Sequence, residues 1–286
     1  MPELPEVEAL ATFLDERLRD LAVTGVQLGS VAVLKTYDPA PDALAGSLVA
    51  PVRRHGKFVD IDCDGLHLVF HLAKAGWLTW AETAKTTRLR PGRGAVALRV
   101  TFSDDSGFDL TEAGTRKGLA VYIVRDPAQV PGIVALGPDP LSEEFTHDVF
   151  AKLLEGRKAQ IKGLLRDQKV IAGIGNAYSD EILHAAKLSP FALASSLDPE
   201  AVTRLYSALR ATLAEAVTAA SGRPAAELKD AKRSSMAVHG RTGLPCPVCG
   251  DTVREVSFSD SSLQYCATCQ TGGTPLADRR TSKFVK

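Results

Sequence analysis

The chain begins Met-Pro-Glu-Leu-Pro-Glu-Val-Glu. A small second residue such as Pro2 permits removal of the initiator methionine, which leaves a secondary amine with the Glu3 carboxylate beside it. Such an amine can attack an electrophilic sugar carbon and form a covalent Schiff base, splitting one hard displacement into easier steps while the acid handles protons. An ordinary α-amino group titrates at about 7.7 to 8, so a useful fraction is free base at neutral pH. The same residues also suit a helix start, where Glu3, Glu6 and Glu8 complement the dipole. By themselves they do not decide between the two.

Five cysteines comprise Cys63 alone and two Cys-x-x-Cys pairs, Cys246/Cys249 and Cys266/Cys269, separated by 16 residues. That spacing predicts a zinc ribbon, four thiolates around one Zn²⁺, with every ligand position filled and the metal therefore structural. The metal can supply on the order of 10 kcal/mol to a module too small for its own core. Ribbons of this kind either bind nucleic acid or hold domains together. A second stretch, Gly173-Ile-Gly-Asn176, leads into a helical pattern. Glycines bring backbone close to a ligand and a helix start favours phosphate, though a tight turn in a helical core has the same composition. A third, Arg53-Arg-His-Gly-Lys57, is a basic turn opening a strand.

These residues need elements to position them. The 286 residues, 45% hydrophobic, suffice for two domains with separate cores. No run of eighteen apolar residues and no basic-then-apolar leader appears, so the expectation is a cytoplasmic protein without a membrane partner. The 34 basic and 34 acidic residues cancel, but residues 233–286 carry seven basic and four acidic. A neutral protein can bind DNA through one positive face, with weak long-range steering. Residues 5–21 read as an amphipathic helix carrying Val7, Leu10, Leu14, Leu18 and Leu21 at three- and four-residue spacing. From 23 to 126 short β-rich runs follow, including 57–63, 66–72, 95–102 and 119–124, as in a sandwich or barrel. Helices are expected over 147–155, 159–166, 177–187 and 199–220, the last with Asp198 as N-cap and Pro199 first. Residues 225–237 read as a connector that is mobile without its ligand.

In combination, the opening octapeptide, His55-Gly-Lys57, Gly173-Ile-Gly-Asn176 and a four-cysteine ribbon preceded by His239-Gly-Arg241 resemble the formamidopyrimidine-DNA glycosylase and endonuclease VIII family, over residues 1 to about 270. Leu4-Pro5 is nearer the formamidopyrimidine branch. The resemblance implies an α+β multidomain fold: a catalytic β-sandwich with a leading helix (1–130), a linker (131–146), a helix–two-turn–helix domain (147–232), a zinc ribbon (238–270) and a basic tail (271–286). It also implies a monomer acting on damaged double-stranded DNA in the cleft between lobes, with one structural Zn²⁺ and no organic cofactor. Pro2 would attack the anomeric carbon of a damaged nucleotide, Glu3 would serve as acid and base, and Lys57 would contact phosphate and assist. Asn176 would clamp a flanking phosphate, with His71 and Lys162 near the backbone. Extruding the damaged base costs a few kcal/mol, less when it is poorly paired.

The chain departs from the family pattern where lesions are handled. Ser261 stands where the family's zinc hairpin carries an arginine that grips phosphates and assists a second elimination. Lys74, Thr115 and Lys117 stand where a methionine, an arginine and a phenylalanine fill the gap left by the flipped base, and Arg116 stays a candidate DNA contact. Exchanging apolar wedges for lysines weakens intercalation and strengthens phosphate or orphan-base contacts. Arg279, Arg280, Lys283 and Lys286 form a basic tail that either binds phosphate or has no role. The expected function is a base-excision glycosylase with abasic-site lyase activity and an altered lesion range. The competing readings are a damaged-DNA binder of the same fold with little or no catalysis, and a zinc-ribbon protein acting on RNA or proteins.

Overall fold

The computed structural model describes the chain apart from Arg93, residues 114–116, Asp260 and residues 278–286. Thr115, Arg116 and the tail residues Arg279, Arg280, Lys283 and Lys286 lie outside the described residues. Two compact units form, one from Met1–Ala135 and Ala219–Asp230, the other from Leu136–Thr218 with the chain from Ala231 onward. Among the described residues no helix is long and apolar enough to cross a membrane.

The first unit opens with helix α1 (Leu4–Leu18), and eight strands follow: β1 (Val23–Leu28), β2 (Val49–His55), β3 (Phe58–Cys63), β4 (Leu66–His71), β5 (Gly76–Ala81), β6 (Val96–Phe102), β7 (Gly107–Glu112) and β8 (Ala120–Val124). They build two four-stranded antiparallel sheets, ordered β1-β6-β7-β5 and β2-β3-β4-β8. Buried side chains from both sheets, such as Ile61 and Phe70 from one and Leu98, Phe102 and Phe108 from the other, share one core. This is the expected sandwich. Burying a Leu or Phe contributes roughly 1.5–3 kcal/mol, so these residues commit the strands to their faces.

Helix α1 starts early because its N-terminal groups are satisfied locally. Glu3 is the N-cap, Pro5 sits in the first turn, and Glu6 returns its carboxylate to the Glu3 N–H at 2.8 Å, closing a capping box. Leu4, Val7, Leu10, Leu14 and Leu18 are buried on one side. Two polar ties fix the helix along β2: Asp15 accepts from the Val52 N–H at 2.8 Å, and Arg54 Nε donates to Glu8 at 2.5 Å. The first three residues are thereby held on the layer that carries the β2–β3 turn.

After α2 (Pro131–Val134), the second unit contains α3 (His147–Leu154), α4 (Ile161–Arg166), α5 (Asn176–Ala185) and, up to Thr218, α6 (Pro199–Ala220). Thr146 caps α3 through the Val149 N–H, and Asp198 accepts from the Ala201 N–H at the head of α6. The stretch expected as a mobile connector contains a 3-10 turn at Ala225–Glu227 and helix α7 (Leu228–Ser235). The chain from Ala219 to Asp230 belongs to the first unit: Ala220, Ala225 and Leu228 join its core, and Lys229 lies 4.7 Å over the Trp77 ring. The hairpin β9 (Val253–Ser257) and β10 (Ser262–Cys266) and the short α8 (Ala267–Thr271) complete the second unit.

Candidate active site and nucleic-acid interface

In the first unit, Pro2 and Glu3 are buried at the head of α1, with Glu3 2% exposed. Lys57 follows Gly56 in the β2–β3 turn. Gly56 has φ of +57°, a conformation that disfavours side chains, and Lys57 itself is 7% exposed. A lysine this buried is not a solvated surface charge.

His71 ends β4 directly opposite Phe58, the residue after Lys57, and the two rings sit 4.8 Å apart. Burial, then the Lys57 charge, lowers the His71 pKa to about 4. Its Nδ1 lies 3.1 Å from the Ala73 N–H and accepts that hydrogen, so at neutral pH the ring is uncharged and Nε2 carries the proton. His71 can therefore offer a hydrogen bond but no charge to a phosphate. Because the folded-state pKa lies below the unfolded value of about 6.5, the unfolded chain binds more protons between those values, and this contribution to stability is lost as pH falls from about 6.5 to about 4. We expect His71→Asn to lose less stability over that window than the wild type, by an amount on the order of 3 kcal/mol, measured as urea midpoints at pH 7 and pH 4.

The stretch carrying Lys117 is anchored by Glu112, which sequence reasoning missed. The buried Glu112 Oε1 accepts from the Gly118 N–H at 2.6 Å and the Leu119 N–H at 2.9 Å, while its backbone carbonyl accepts from Lys117 Nζ at 2.6 Å. Lys117 thus turns its charge onto its own loop. Lys74, after the left-handed Ala73 (φ +53°), is exposed.

In the second unit, Gln168 shapes the turn before α5: it accepts from the Gly173 N–H at 2.9 Å and donates to the Ile174 carbonyl at 2.7 Å. Gly173 has φ of +85°. Asn176 is the first residue of α5, at the positive end of the helix dipole. Its Nδ2 donates to the Ser262 carbonyl at 2.7 Å, and its Oδ1 is buried without a hydrogen-bond partner among the described residues. Lys162, expected beside the DNA backbone, is only 5% exposed. Its ammonium donates to Asp180 at 2.6 Å, Ser179 Oγ at 2.7 Å and the Asn176 carbonyl at 3.2 Å. It neutralises a buried carboxylate beneath the turn, so its contribution there is to hold Asn176.

One face of α5 grips the ribbon. Asp180 also accepts from His239 Nδ1 at 2.8 Å and the Gln264 N–H at 3.2 Å. Glu181 accepts from the Ala237, Val238 and His239 N–H groups at 2.7–3.0 Å, yet burial still raises its pKa. His184 Nε2 lies 3.3 Å from Cys246 Sγ. Nothing in the periodicity of residues 177–187 signals these partners, which lie far along the chain.

Cys246, Cys249, Cys266 and Cys269 bring their sulfurs within 4.8 Å of one another. Cys246 and Cys269 are 3.9 Å apart, Cys249 and Cys266 3.3 Å. Thiolates at about 2.3 Å from a tetrahedral zinc stand about 3.8 Å apart, so the donor set and spacing fit that ion. Gly250, with φ of +78°, turns the first knuckle and donates its N–H to the Cys246 carbonyl. Burial raises the Cys266 pKa to about 11, and a bound cation would act the other way by favouring the thiolate. At the tip of the β9–β10 hairpin the Phe258 N–H bonds the Ser261 carbonyl at 2.8 Å, and the Phe258 ring is exposed.

Residues 1–121 match the formamidopyrimidine-DNA glycosylase N-terminal domain, 136–225 the H2TH domain of the same enzymes, and 243–272 the zinc finger found in FPG and IleRS. An uncharacterized formamidopyrimidine-DNA glycosylase-like protein of Mycobacterium tuberculosis is 58% identical over 56% of this chain and 99% of its own length. The formamidopyrimidine-DNA glycosylase of Thermus thermophilus is 38% identical, covering 96% of this chain and 100% of that one. The Lactococcus lactis Fpg, solved with DNA containing an abasic site, shares the fold with a TM-score of 0.82 over 94% of this chain and 99% of that one, at 23% identity. With three domain matches in order and full-length relatives above 30% identity, the chain belongs to the formamidopyrimidine-DNA glycosylase family.

Proposed function

We propose that this protein is a DNA base-excision repair glycosylase that also cleaves the strand at abasic sites through a Schiff base on Pro2. The observation that carries the reading is the burial of these residues in the first unit: Pro2 and Glu3 at the head of a helix tied to β2, and Lys57 in the turn that follows that strand. Relatives that carry the glycosylase name over their full length, and a fold neighbour solved on abasic-site DNA, support it.

In this mechanism the Pro2 nitrogen, freed by removal of Met1, attacks C1′ of a flipped nucleotide. The C1′–base bond breaks and its electron pair leaves with the base, which takes up a proton from Glu3, and the N–H of the attacking amine returns one to that carboxylate. Glu3 supplies the proton that opens the sugar ring, giving an iminium between Pro2 and C1′. Loss of a C2′ proton then expels the 3′ phosphate, and water releases the aldehyde and restores the amine. Lys57 balances phosphate charge. Neutral His71 donates Nε2–H to phosphate oxygen, and Asn176 holds a flanking phosphate at the head of α5. Zinc supplies structure only, holding the hairpin that bears Phe258 and Ser261.

The lesion range proposed here differs from that of an enzyme with apolar wedges, because Lys74 is exposed and Lys117 folds onto Glu112. Ser261 offers no cation to drive a second elimination. On a 5′-labelled abasic duplex we expect nicking with the single-elimination product in excess. Predominant double elimination on the sequencing gel would refute the role given to Ser261, and an intact strand would refute the lyase.

A further inference from the structure

Three polar residues on one face of α5, Asn176, Asp180 and His184, are spaced by four and span about 12 Å of helix. Each bonds the ribbon module at a different place: the Ser262 carbonyl, the Gln264 N–H with His239, and the sulfur of Cys246. The last contact is unlike the others because its partner belongs to the metal-ligand set. A zinc-bound thiolate has lone pairs and no hydrogen, so a neutral imidazole 3.3 Å away can only donate to it. His184 is buried, and Cys246 is buried with Val238, Val253 and Cys266 in a small core of the ribbon.

We propose that His184 is an outer positioning residue of the metal site, donating Nε2–H to the Cys246 thiolate and thereby fixing the zinc centre on the helix that carries Asn176. Groups that hydrogen-bond to metal ligands typically affect metal affinity by about 10- to 100-fold. Here the donor comes from outside the ribbon, 62 residues before its ligand. The zinc site is therefore completed by the helical part of the unit, and α5 carries the metal centre at one end and the phosphate-clamp candidate at the other.

The test uses the full zinc-loaded protein and two variants of comparable bulk. His184→Leu fills the space and cannot donate; His184→Gln retains an N–H donor. Zinc release to excess chelator, followed by a metallochromic dye, should be about 10- to 100-fold faster in His184→Leu, with most of the loss recovered in His184→Gln. In cobalt-substituted protein, the sulfur-to-cobalt charge-transfer band should move to longer wavelength in His184→Leu only, because a thiolate that loses a hydrogen bond holds its electrons less tightly. Release rates equal to wild type would overturn the proposal. So would equally fast release in both variants, or faster release with an unmoved band, since either pattern means that His184 serves packing alone.

Discussion

Glu3→Gln is expected to slow release of a damaged base by about 10²- to 10⁴-fold, the range for losing a positioned general acid. Thermal stability should stay close to wild type. The two halves of this result separate the roles that Glu3 plays. Its side chain and that of Glu6 form the capping box that starts α1, and removing a cap costs about 0.5–2 kcal/mol. Glutamine keeps an acceptor for the capped N–H, so the helix start survives while the proton-transfer function does not. Base excision measured by single-turnover kinetics, alongside a melting curve, checks both. A variant that loses stability in step with activity would mean that the carboxylate acts through the cap alone.

The second large effect is on stability. Asp180→Ala should destabilise the second unit by about 3–5 kcal/mol, because it leaves Lys162 buried without its counter-charge. Asp180 has no side-chain exposure, and it serves Lys162, His239 and the Gln264 N–H together. The double change Lys162→Met with Asp180→Leu should cost less than the sum of the single losses, since neither charge is then stranded. Denaturation followed by far-UV circular dichroism reads the helices of this unit, while both tryptophans, Trp77 and Trp80, report on the first. A loss below about 1 kcal/mol in Asp180→Ala would place Lys162 in a solvated setting and restore it as a direct DNA contact.

The elements that could be read from the chain alone were those with local signals. Asp198 announces its helix, the leucine spacing of α1 matches its buried face, and two Cys-x-x-Cys pairs bring four sulfurs together as their spacing implies. What stayed hidden depends on partners far along the chain. Lys162 is placed near the DNA backbone by resemblance alone, and nothing nearby in sequence signals its acid; Asp180 supplies it 18 residues later, across a turn. Glu112 carries no motif that marks it, yet it anchors Gly118 and Leu119. The polar face of α5 offered no pattern of its own, since its bonds run to residues 237–239, 246, 262 and 264. The return of Ala219–Asp230 to the first unit was equally invisible, because a short polar segment after a long helix carries no sign of which core receives Ala220, Ala225 and Leu228.

Pro2 is the proposed nucleophile. Borohydride added to the protein on abasic-site duplex should leave a covalent protein–DNA adduct, and peptide mapping should place the reduced linkage on the nitrogen of Pro2 in a chain lacking Met1. Replacing Pro2 by a bulky residue that retains Met1 should abolish that adduct. No adduct with the wild type, or one mapped to Lys57 or any other lysine, would contradict the account.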